Sequence, residues 1–383
     1  MTGRVVIVGG GIGGLTLAIA LRQKGIEVRV YEAAPELRAA GAGIWVPPNA
    51  MQVLDRLGMA GAVLDRGERL ERAEIRDCRG GVLQAADVGA AARRFGFPTV
   101  AIHRGRLQRV LLDHLPADLV HVGRECTGIE SAGGPASACF ADGSVQEGAV
   151  VVGADGAHSR VREALFPGTA LRYSGQSSYR AVVPHRLPDA FAATGWEVWG
   201  PGRRFGFSAV GGGEVYWYAT LDAPAGERDA GPDVTRRRLD ALAAGFPAPV
   251  PELVAATDPA RTLRTDMYDL PRLRSWHRGR VVLLGDAAHA TTPNLGQGGA
   301  QAMEDAWVLA EQLASRPDPE AAFAAYQRIR EPKARMVVDR SRVLGRIAHL
   351  RNPLARGLRN SLLRLTPASV ALRQMEALYT LDY

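Results

Sequence analysis

A glycine-rich segment at residues 9–14, of sequence GGGIGG, follows directly on the apolar run at residues 5–8. In this order, Gly9 permits a tight turn, Gly11 lets the backbone approach a pyrophosphate, and Gly14 lets the next helix pack closely on the strand. Gly13 lies in the same segment. The helix that begins here also presents unpaired N–H groups and a positive dipole end to an anion. The segment therefore predicts a phosphate-binding site for a dinucleotide.

A carboxylate follows where such a ligand would place a ribose. The strand predicted at residues 28–31 ends at Glu32, with Ala33 next to it. An acidic side chain roughly 20 residues beyond the glycines holds the ribose hydroxyls in sites of this kind. The alternative is a glycine-rich turn followed by an unrelated acid, which the order of strand, glycines and acid disfavours.

Two further segments carry polar residues after buried strands. The apolar run at residues 150–152 leads into the sequence GADGAHS, which contains Asp155. The run at residues 281–284 leads into Asp286, then to a second glycine-rich stretch before a helix predicted at residues 301–313. Together with the strand–helix–strand at the start, these runs predict an α/β domain that is assembled from separated segments.

A different pattern occupies the middle of the chain. Short, aromatic-rich runs predict an antiparallel sheet, in which alternation puts Tyr216 and Tyr218 on one face and Trp217 on the other. The other aromatic residues of this sheet either line a substrate site or form core. The chain thus leaves the nucleotide domain, builds a second sheet and returns near residue 280. The predicted strands are residues 179–183, 196–199, 205–210 and 215–220.

The amino-acid composition limits the classes of function that this chain can have. The chain has 383 residues, long enough for two domains, and its 46% hydrophobic and 23% charged residues are typical of a globular protein. The 47 Lys and Arg outnumber the 40 Asp and Glu, for a net charge of +7, and the charges are interspersed. We therefore expect attraction of anionic cofactors and substrates, and no nucleic-acid binding.

The three cysteines, Cys78, Cys126 and Cys139, form no redox or metal-binding pattern. An odd count without a C-x-x-C pair makes disulfides and a metal site unexpected, and a reducing compartment is the default. The glycines at residues 9–14 interrupt what would be the apolar core of a signal peptide, and no stretch reads as a membrane span. These features predict a cytoplasmic protein without stable membrane insertion.

The last part of the chain is predicted to be helical. A helical stretch within residues 321–335 is expected to break at Pro332. The tail at residues 353–378 is basic and carries four leucines at helical spacing. This spacing predicts packing against the body of the protein, with binding to a membrane surface as the alternative. The leucines are Leu354, Leu358, Leu362 and Leu365.

Taken together, the three glycine-containing segments resemble those of the FAD-dependent aromatic hydroxylases, single-component flavoprotein monooxygenases similar to para-hydroxybenzoate hydroxylase. The resemblance covers nearly the whole chain. It implies an α/β fold with a Rossmann-type FAD-binding domain, an inserted antiparallel β-sheet substrate domain and C-terminal helices. The implied division is 1–70, 98–170 and 265–345 for the FAD-binding domain, 71–97 and 171–264 for the sheet domain, and 346–383 for the C-terminal helical segment.

The resemblance also assigns the FAD site. It implies that the first glycines face the pyrophosphate, that Glu32 with Ala33 lies at the adenosine ribose, and that Arg104 reaches the cofactor. Asp286 would bind the ribityl chain. Asp155 would lie near both FAD and the reduced nicotinamide cofactor, and it could also cap the helix that follows it.

The second glycine-rich stretch has an implied role at the flavin ring. Its backbone N–H groups can hold the pyrimidine oxygen of the flavin, and the dipole of the following helix favours the negative charge of the reduced ring. Pro293 resembles the proline that lines the reaction space. The residues implied to contact the flavin are Gly296, Gln297, Gly298 and Gly299.

The implied activity is hydroxylation of a planar aromatic or heteroaromatic small molecule by a monomer or homodimer. NADPH or NADH reduces the bound FAD, and O₂ then forms a flavin C4a-hydroperoxide that transfers oxygen to the substrate ring. A flavin-dependent oxidoreductase of the same fold without oxygen insertion is the alternative. Only one G-x-G-x-x-G is present, so the nicotinamide cofactor has no Rossmann domain of its own.

Within the family, the middle of the chain is similar to 2-heptyl-4-quinolone 3-hydroxylases and to FAD-dependent urate hydroxylases. Quinolone-like, urate-like and phenolic substrates therefore stay open. The urate hydroxylases pair an arginine with a tyrosine, and Arg204 and Tyr216 stand at the matching places. Such a pair can hold an oxyanion and ease deprotonation of a ring. Arg204 could equally lie in a surface turn, with Arg203 as the functional residue, and Tyr216 could simply pack in the sheet.

Overall fold

The computed structural model describes residues 3–37, 42–131 and 134–383. The strands of this part are β1 (Val5–Val8), β2 (Val28–Tyr31), β3 (Gly43–Val46), β4 (Glu68–Leu70), β5 (Arg72–Asp77), β6 (Val82–Asp87), β7 (Thr99–His103), β8 (Val120–His121), β9 (Cys126–Glu130), β10 (Ala136–Phe140), β11 (Val145–Gly148), β12 (Val150–Gly153), β13 (Arg172–Pro184), β14 (Thr194–Gly200), β15 (Arg203–Ala209), β16 (Glu214–Asp222), β17 (Leu263–Asp269), β18 (His277–Arg278) and β19 (Val281–Leu283). The helices are α1 (Ile12–Gln23), α2 (Pro48–Arg56), α3 (Ala60–Arg66), α4 (Val88–Phe95), α5 (Arg104–Leu112), α6 (Arg160–Leu165), α7 (Pro232–Ala243), α8 (Val250–Ala255), α9 (Asp286–His289), α10 (Gly298–Ser315), α11 (Pro319–Ala348), α12 (Pro353–Leu365) and α13 (Ala368–Tyr379).

One of the two large sheets is mostly parallel and has the strand order β18-β19-β12-β1-β2-β8. β1 lies near its centre and pairs in parallel with β2 and β12, and β12 pairs in parallel with β19. All four residues of β1 are buried, as expected for a strand covered on both faces. The carboxyl ends of β1, β12 and β19 therefore lie side by side, which brings together three segments that are more than a hundred residues apart.

The second large sheet has the order β17-β13-β16-β15-β14-β5-β6. On one of its faces Trp196, Phe205, Phe207 and Trp217 pack against α7 and α8 in a separate hydrophobic core. These rings are core and do not line a substrate site. The opposite face carries the polar and tyrosine side chains, as the alternation predicted.

The pairing of three strands refines the domain division. β5 and β6 hydrogen bond to the second sheet through β14, which joins residues 72–87 to residues 172–222. β17 pairs with β13 along most of its length. The predicted boundary after residue 264 therefore falls inside β17, and the whole strand belongs with the second sheet.

The expected break at Pro332 is wrong, because α11 continues through it from Pro319 to Ala348. A proline inside a helix removes one hydrogen bond and costs about 3 kcal/mol. Burial on both sides of the proline offsets that cost, since Arg330, Ala334 and Val337 are each at most 1% exposed. None of the helices in the described ranges is long and apolar enough to cross a membrane.

The expectation that the leucines of α12 pack against the body is also wrong. Leu354, Leu358, Leu362 and Leu365 are 84%, 64%, 59% and 77% exposed. The side chain that faces inward is Arg359, which donates two hydrogen bonds of 3.1 Å to the last carbonyls of α11. Its guanidinium also lies 4.9 Å from the centre of the Trp199 ring, and Leu363 packs partly buried beside that ring, so Arg359 and Leu363 fix this helix to the protein and the four predicted leucines do not.

Candidate active site

The glycine turn after β1 is built so tightly that side chains are excluded at most of its positions. Gly9 has φ +113°, and a Cβ there would overlap the carbonyl oxygen of Ala154. A Cβ at Gly14 would overlap the carbonyl oxygen of Gly9, and one at Gly13 would lie 2.7 Å from a methyl of Leu284. These three glycines let α1 begin directly against the sheet.

Gly11 differs from its neighbours. Its φ of −74° is open to any residue, and a Cβ placed there would meet no heavy atom within 4 Å. The backbone thus does not require glycine at this position. Because glycine has no side chain, it leaves open space at the start of α1, where the helix dipole favours a phosphate.

Glu32 lies at the end of β2, beside this turn. One carboxylate oxygen accepts a 2.7 Å hydrogen bond from the N–H of Gly10, and the other accepts a 2.9 Å bond from the N–H of Ala34. The carboxylate is therefore held at the place expected for the ribose acid, and the neighbouring Ala33 is exposed. Gln108 of α5 donates to the carbonyl oxygen of Gly10 at 3.1 Å, a supporting contact that no sequence pattern indicated.

Asp155 is a helix cap, as one of the two interpretations predicted. Its carboxylate accepts a 2.6 Å bond from the Ser159 hydroxyl and bonds of 2.7 and 3.1 Å from the N–H groups of Arg160 and Val161 at the start of α6. Its backbone nitrogen also lies within 3 Å of where a Cβ of Gly9 would stand. The side chain therefore fixes the loop beside the glycine turn, while a direct cofactor contact stays a prediction.

We expect Asp155→Ala to lower the free energy of unfolding by about 1 kcal/mol, the usual value of a lost capping side chain, because it removes the acceptor of three hydrogen bonds at the start of α6 while Ser159 keeps the N-cap position. Asp155→Asn keeps an acceptor and should lose less than half of that. Urea unfolding of the three proteins measures the difference, and FAD titration runs beside it. A loss of FAD affinity in Asp155→Asn with unchanged stability would instead place the carboxylate at the cofactor.

Asp286 follows the third strand end. It forms one wall of the candidate site, with the glycine turn and the start of α10, and Tyr216 on the second sheet belongs to the other wall; the space between them is called the cleft below. Its side chain is exposed, and one carboxylate oxygen lies 3.9 Å from where a Cβ of Gly298 would stand. Surrounding protein raises the pKa of its carboxyl, while the charges of His289 and Arg104 act in the opposite direction. Burial likewise raises the pKa of Tyr216 on the second sheet, and the charge of Arg104 again opposes it. The guanidinium of Arg104 thus acts on both walls of the cleft.

The start of α10 supplies backbone donors. Within the described residues no side chain caps this helix, and Gly296 before it has φ +63°. The side chain of Gln297 is turned into the protein, where its oxygen accepts 3.1 Å bonds from Asn49 and Gln301. Only the backbone of Gln297 faces the cleft, and at Gly299 a Cβ would come within 2.9 Å of an isoleucine methyl.

Arg204 does not lie in a surface turn. It is a residue of β15 with 1% exposure, and it donates 2.9 Å bonds to the Thr220 hydroxyl and the Glu197 carboxylate. It also donates to the side-chain oxygen of Asn294, which directly follows Pro293. The guanidinium therefore ties the second sheet to the turn at residues 293–295, and Pro293 itself is exposed beside it.

Arg203 points the other way. Its guanidinium donates to the carbonyl oxygens of Ala241 and Ala244 at the end of α7, at 2.9 and 2.6 Å. Because successive side chains of a strand alternate between faces, this arginine lies on the core side of the sheet. The structure thus separates the two arginines that the sequence left as alternatives.

Arg204 and Tyr216 share a face of the sheet but do not meet. Arg204 pairs in register with Thr220, four residues beyond Tyr216, a spacing of roughly 13 Å at about 3.3 Å per residue. Tyr218 stands between them, and its ring centre is 6.1 Å from that of Tyr216. Burial and the Glu197 carboxylate raise the pKa of Tyr218. The predicted pair thus stands at the two ends of a row, and the middle is occupied by Tyr218, which alternation assigned to this face but not to the site.

Comparisons with known proteins agree with this geometry. A family model described as FAD binding domain matches residues 2–341. The chain is 40% identical to the aurachin C monooxygenase/isomerase of Stigmatella aurantiaca, with 94% of each chain covered. It is 37% identical to the 2-heptyl-3-hydroxy-4(1H)-quinolone synthase of Pseudomonas aeruginosa strain UCBPP-PA14, over 98% of this chain and 97% of that protein. The crystal structure of Klebsiella pneumoniae HpxO complexed with FAD and uric acid is similar with a TM-score of 0.90 and 32% identity, over 97% of this chain and 95% of that one.

Proposed function

The chain belongs to the FAD binding domain family, and on that premise we propose that it is a monooxygenase that uses FAD, NADPH or NADH and O₂ to hydroxylate a planar aromatic or heteroaromatic small molecule. The family membership confirms the predicted resemblance and fold. The observation that carries the proposal is the meeting of three strand ends beside the turn at residues 293–295, which Arg204 ties to the polar face of the second sheet. We keep the cytoplasm as the compartment, because all three cysteines are free. A monomer or homodimer without a nucleic-acid partner completes the proposal.

The residues at the cleft fit FAD. The open space beside Gly11 suits the pyrophosphate, Glu32 the ribose, Asp286 the ribityl chain, and the free N–H groups at the start of α10 the ring oxygens. When bound, FAD supplies the redox and oxygen-activating chemistry. The chain itself contributes binding, orientation and exclusion of water, and Arg104 adds a cation between the two walls.

The polar row of the second sheet is the proposed substrate side. Arg204 offers its remaining N–H groups to an oxyanion of the substrate ring, and Pro293 lines the adjacent wall. Burial and the Glu197 carboxylate raise the pKa of Tyr218 further above its ordinary value of 10, so its hydroxyl stays protonated at neutral pH and can donate a hydrogen bond to the substrate. Tyr216 would contact the far edge of the ring system. Quinolone-like, urate-like and phenolic rings all offer an ionisable group to such a row.

The first experiment measures NADPH and NADH oxidation by the FAD-loaded protein with a panel of quinolones, purines and phenolic acids. Strong stimulation by one ring class, with O₂ consumed and a product heavier by one oxygen atom, is the expected result. Stimulation without an oxygenated product would identify an analogue that fits the pocket without being hydroxylated. Tight FAD binding without any O₂-dependent product from the true substrate would contradict the proposal.

We expect Arg204→Lys to lower kcat/KM by about 10- to 100-fold, because a lysine cannot replace the planar fork of donors. Arg203→Lys is the matched control, since it makes the same change one residue away on the core face, and it should leave kcat/KM within about twofold. FAD content and thermal unfolding are compared for both variants. Equal kinetics for the two would remove Arg204 from the substrate site.

A further inference from the structure

The outward face of α12 is the most apolar exposed surface of the described chain. Exposed large apolar residues are few among the described residues, and six of the ten lie between positions 343 and 365. They include Val343 and Ile347 at the end of α11, at 52% and 39%, besides the four leucines of α12. Such a concentration marks an interaction surface, because single exposed apolar residues are normally scattered.

The geometry of α12 makes the four leucines one stripe. At 100° per residue, Leu354, Leu358, Leu362 and Leu365 fall within an arc of about 80°. Arg359 projects from another side of the helix and is 6% exposed. The helix is thus amphipathic with its apolar stripe facing solvent, the reverse of a helix that is packed only for folding.

The charged residues of this segment of the chain are all basic. Residues 340–375 contain eight arginines and no aspartate or glutamate. Arg340 and Arg346 are exposed on α11. Three other arginines are paired with carboxylates of other segments: Arg351, just before α12, with Asp222, Arg364 in its last turn with Asp77, and Arg342 with Asp269. An apolar stripe within a basic surface is the combination that anionic bilayers bind, through insertion of the apolar residues and attraction of the headgroups.

We propose that α12 with the end of α11 docks this protein peripherally on the surface of an anionic lipid bilayer, with the four leucines inserted among the headgroups. A second copy of the chain is the other occupant to consider. A two-fold interface through this face would set arginines of one copy against those of the other, which costs free energy. The headgroups of acidic lipids instead complement both the leucines and the arginines.

The test is co-sedimentation of the FAD-loaded full chain with vesicles. Vesicles of phosphatidylcholine with one third phosphatidylglycerol should retain the protein, and pure phosphatidylcholine vesicles should retain much less. The variant Leu358→Ser with Leu365→Ser should weaken binding to the acidic vesicles by about tenfold or more. The control variant Val122→Ser with Val145→Ser removes two apolar residues that are 42% and 52% exposed elsewhere, and it should bind as the wild type does.

FAD content and thermal unfolding verify that both double variants are folded. We expect both to fold, because all four substituted positions are exposed. Absence of wild-type binding to acidic vesicles would overturn the proposal, and so would equal binding by the leucine variant. Sedimentation velocity without lipid tests whether a second copy of the chain binds this surface. A wild-type dimer that the leucine variant alone dissociates, together with failure to bind vesicles, would assign the stripe to self-association.

Discussion

Replacing Arg330 by methionine is expected to lower the free energy of unfolding by about 3–5 kcal/mol, because it removes the one guanidinium that two buried carboxylates share and, among the described residues, leaves Glu304 with only Lys333 and Asp305 with only His289 as ion-pair partners. Arg330 is fully buried in α11 and donates to Asp305 at 2.8 Å and to Glu304 at 2.6 Å. Asp305 also accepts from the N–H of Gly285 and shares a 2.6 Å bond with His289. The cluster thus anchors the loop that presents Asp286, so FAD affinity should fall with stability.

The loss of stability in Arg330→Met should depend on pH, and the titration of Asp305 gives the direction of that dependence. Burial by itself disfavours the charge of Asp305, but His289 and Arg330 hold the pKa of its carboxyl at about 2, below the ordinary 3.8. A depressed folded-state pKa contributes stability that is present above about pH 4 and is lost as the pH falls toward 2. The difference in unfolding free energy between wild type and Arg330→Met should therefore narrow over this range.

Arg335→Met is the matched control for this prediction. The same change is made on the same helix, where Arg335 pairs with Asp339 at 3.5 Å with side chains 51% and 63% exposed. Such a surface pair contributes at most about 1 kcal/mol, so this variant should unfold close to the wild type in urea. Similar losses for the two variants would show that the buried cluster does not carry the stability assigned to it.

Gly11→Ala and Gly14→Ala are expected to separate cofactor binding from folding. Gly14→Ala places a methyl onto the backbone carbonyl of Gly9 and should destabilise the fold by about 3 kcal/mol or more, despite the better helix propensity of alanine. At Gly11 a methyl meets no atom of the chain and fits the backbone dihedrals, so stability should be unchanged or slightly higher. The same methyl fills the space assigned to the pyrophosphate.

Gly11→Ala should therefore weaken FAD binding by about 5- to 150-fold, the effect of about 1–3 kcal/mol of steric conflict. Flavin fluorescence titration gives the dissociation constant, and thermal unfolding of the FAD-free protein gives the stability. A stable Gly11→Ala protein with wild-type affinity would move the pyrophosphate away from this turn. A stable Gly14→Ala protein would contradict the close packing of α1 on β1.

Local sequence pattern is sufficient to predict a large part of the candidate site. The glycines at residues 9–14 and 296–299 and the acids Glu32 and Asp286 follow buried strands or begin helices, and turn chemistry and helix starts depend on neighbouring residues alone. The same holds for Asp155, for which local spacing already indicated a cap. Strand alternation likewise assigns Tyr216 and Trp217 to opposite faces of the sheet, as in the structure.

Contacts between distant segments could not be inferred in this way. The register of β15 with β16 separates Arg204 from Tyr216 and brings in Tyr218, and Asn294 meets Arg204 across 90 residues. Pro332 stands inside a helix because burial on both sides outweighs one lost hydrogen bond.

The sequence by itself determined the FAD-binding segments, the two kinds of sheet and the family, because each depends on residues that are close along the chain. Only the tertiary structure decided which way α12 faces. Spacing showed that four leucines share a stripe, but the inward side is set by Arg359, through bonds to the end of α11 and its position over Trp199. An amphipathic pattern specifies two faces, and the partner that a helix meets decides which of them is buried.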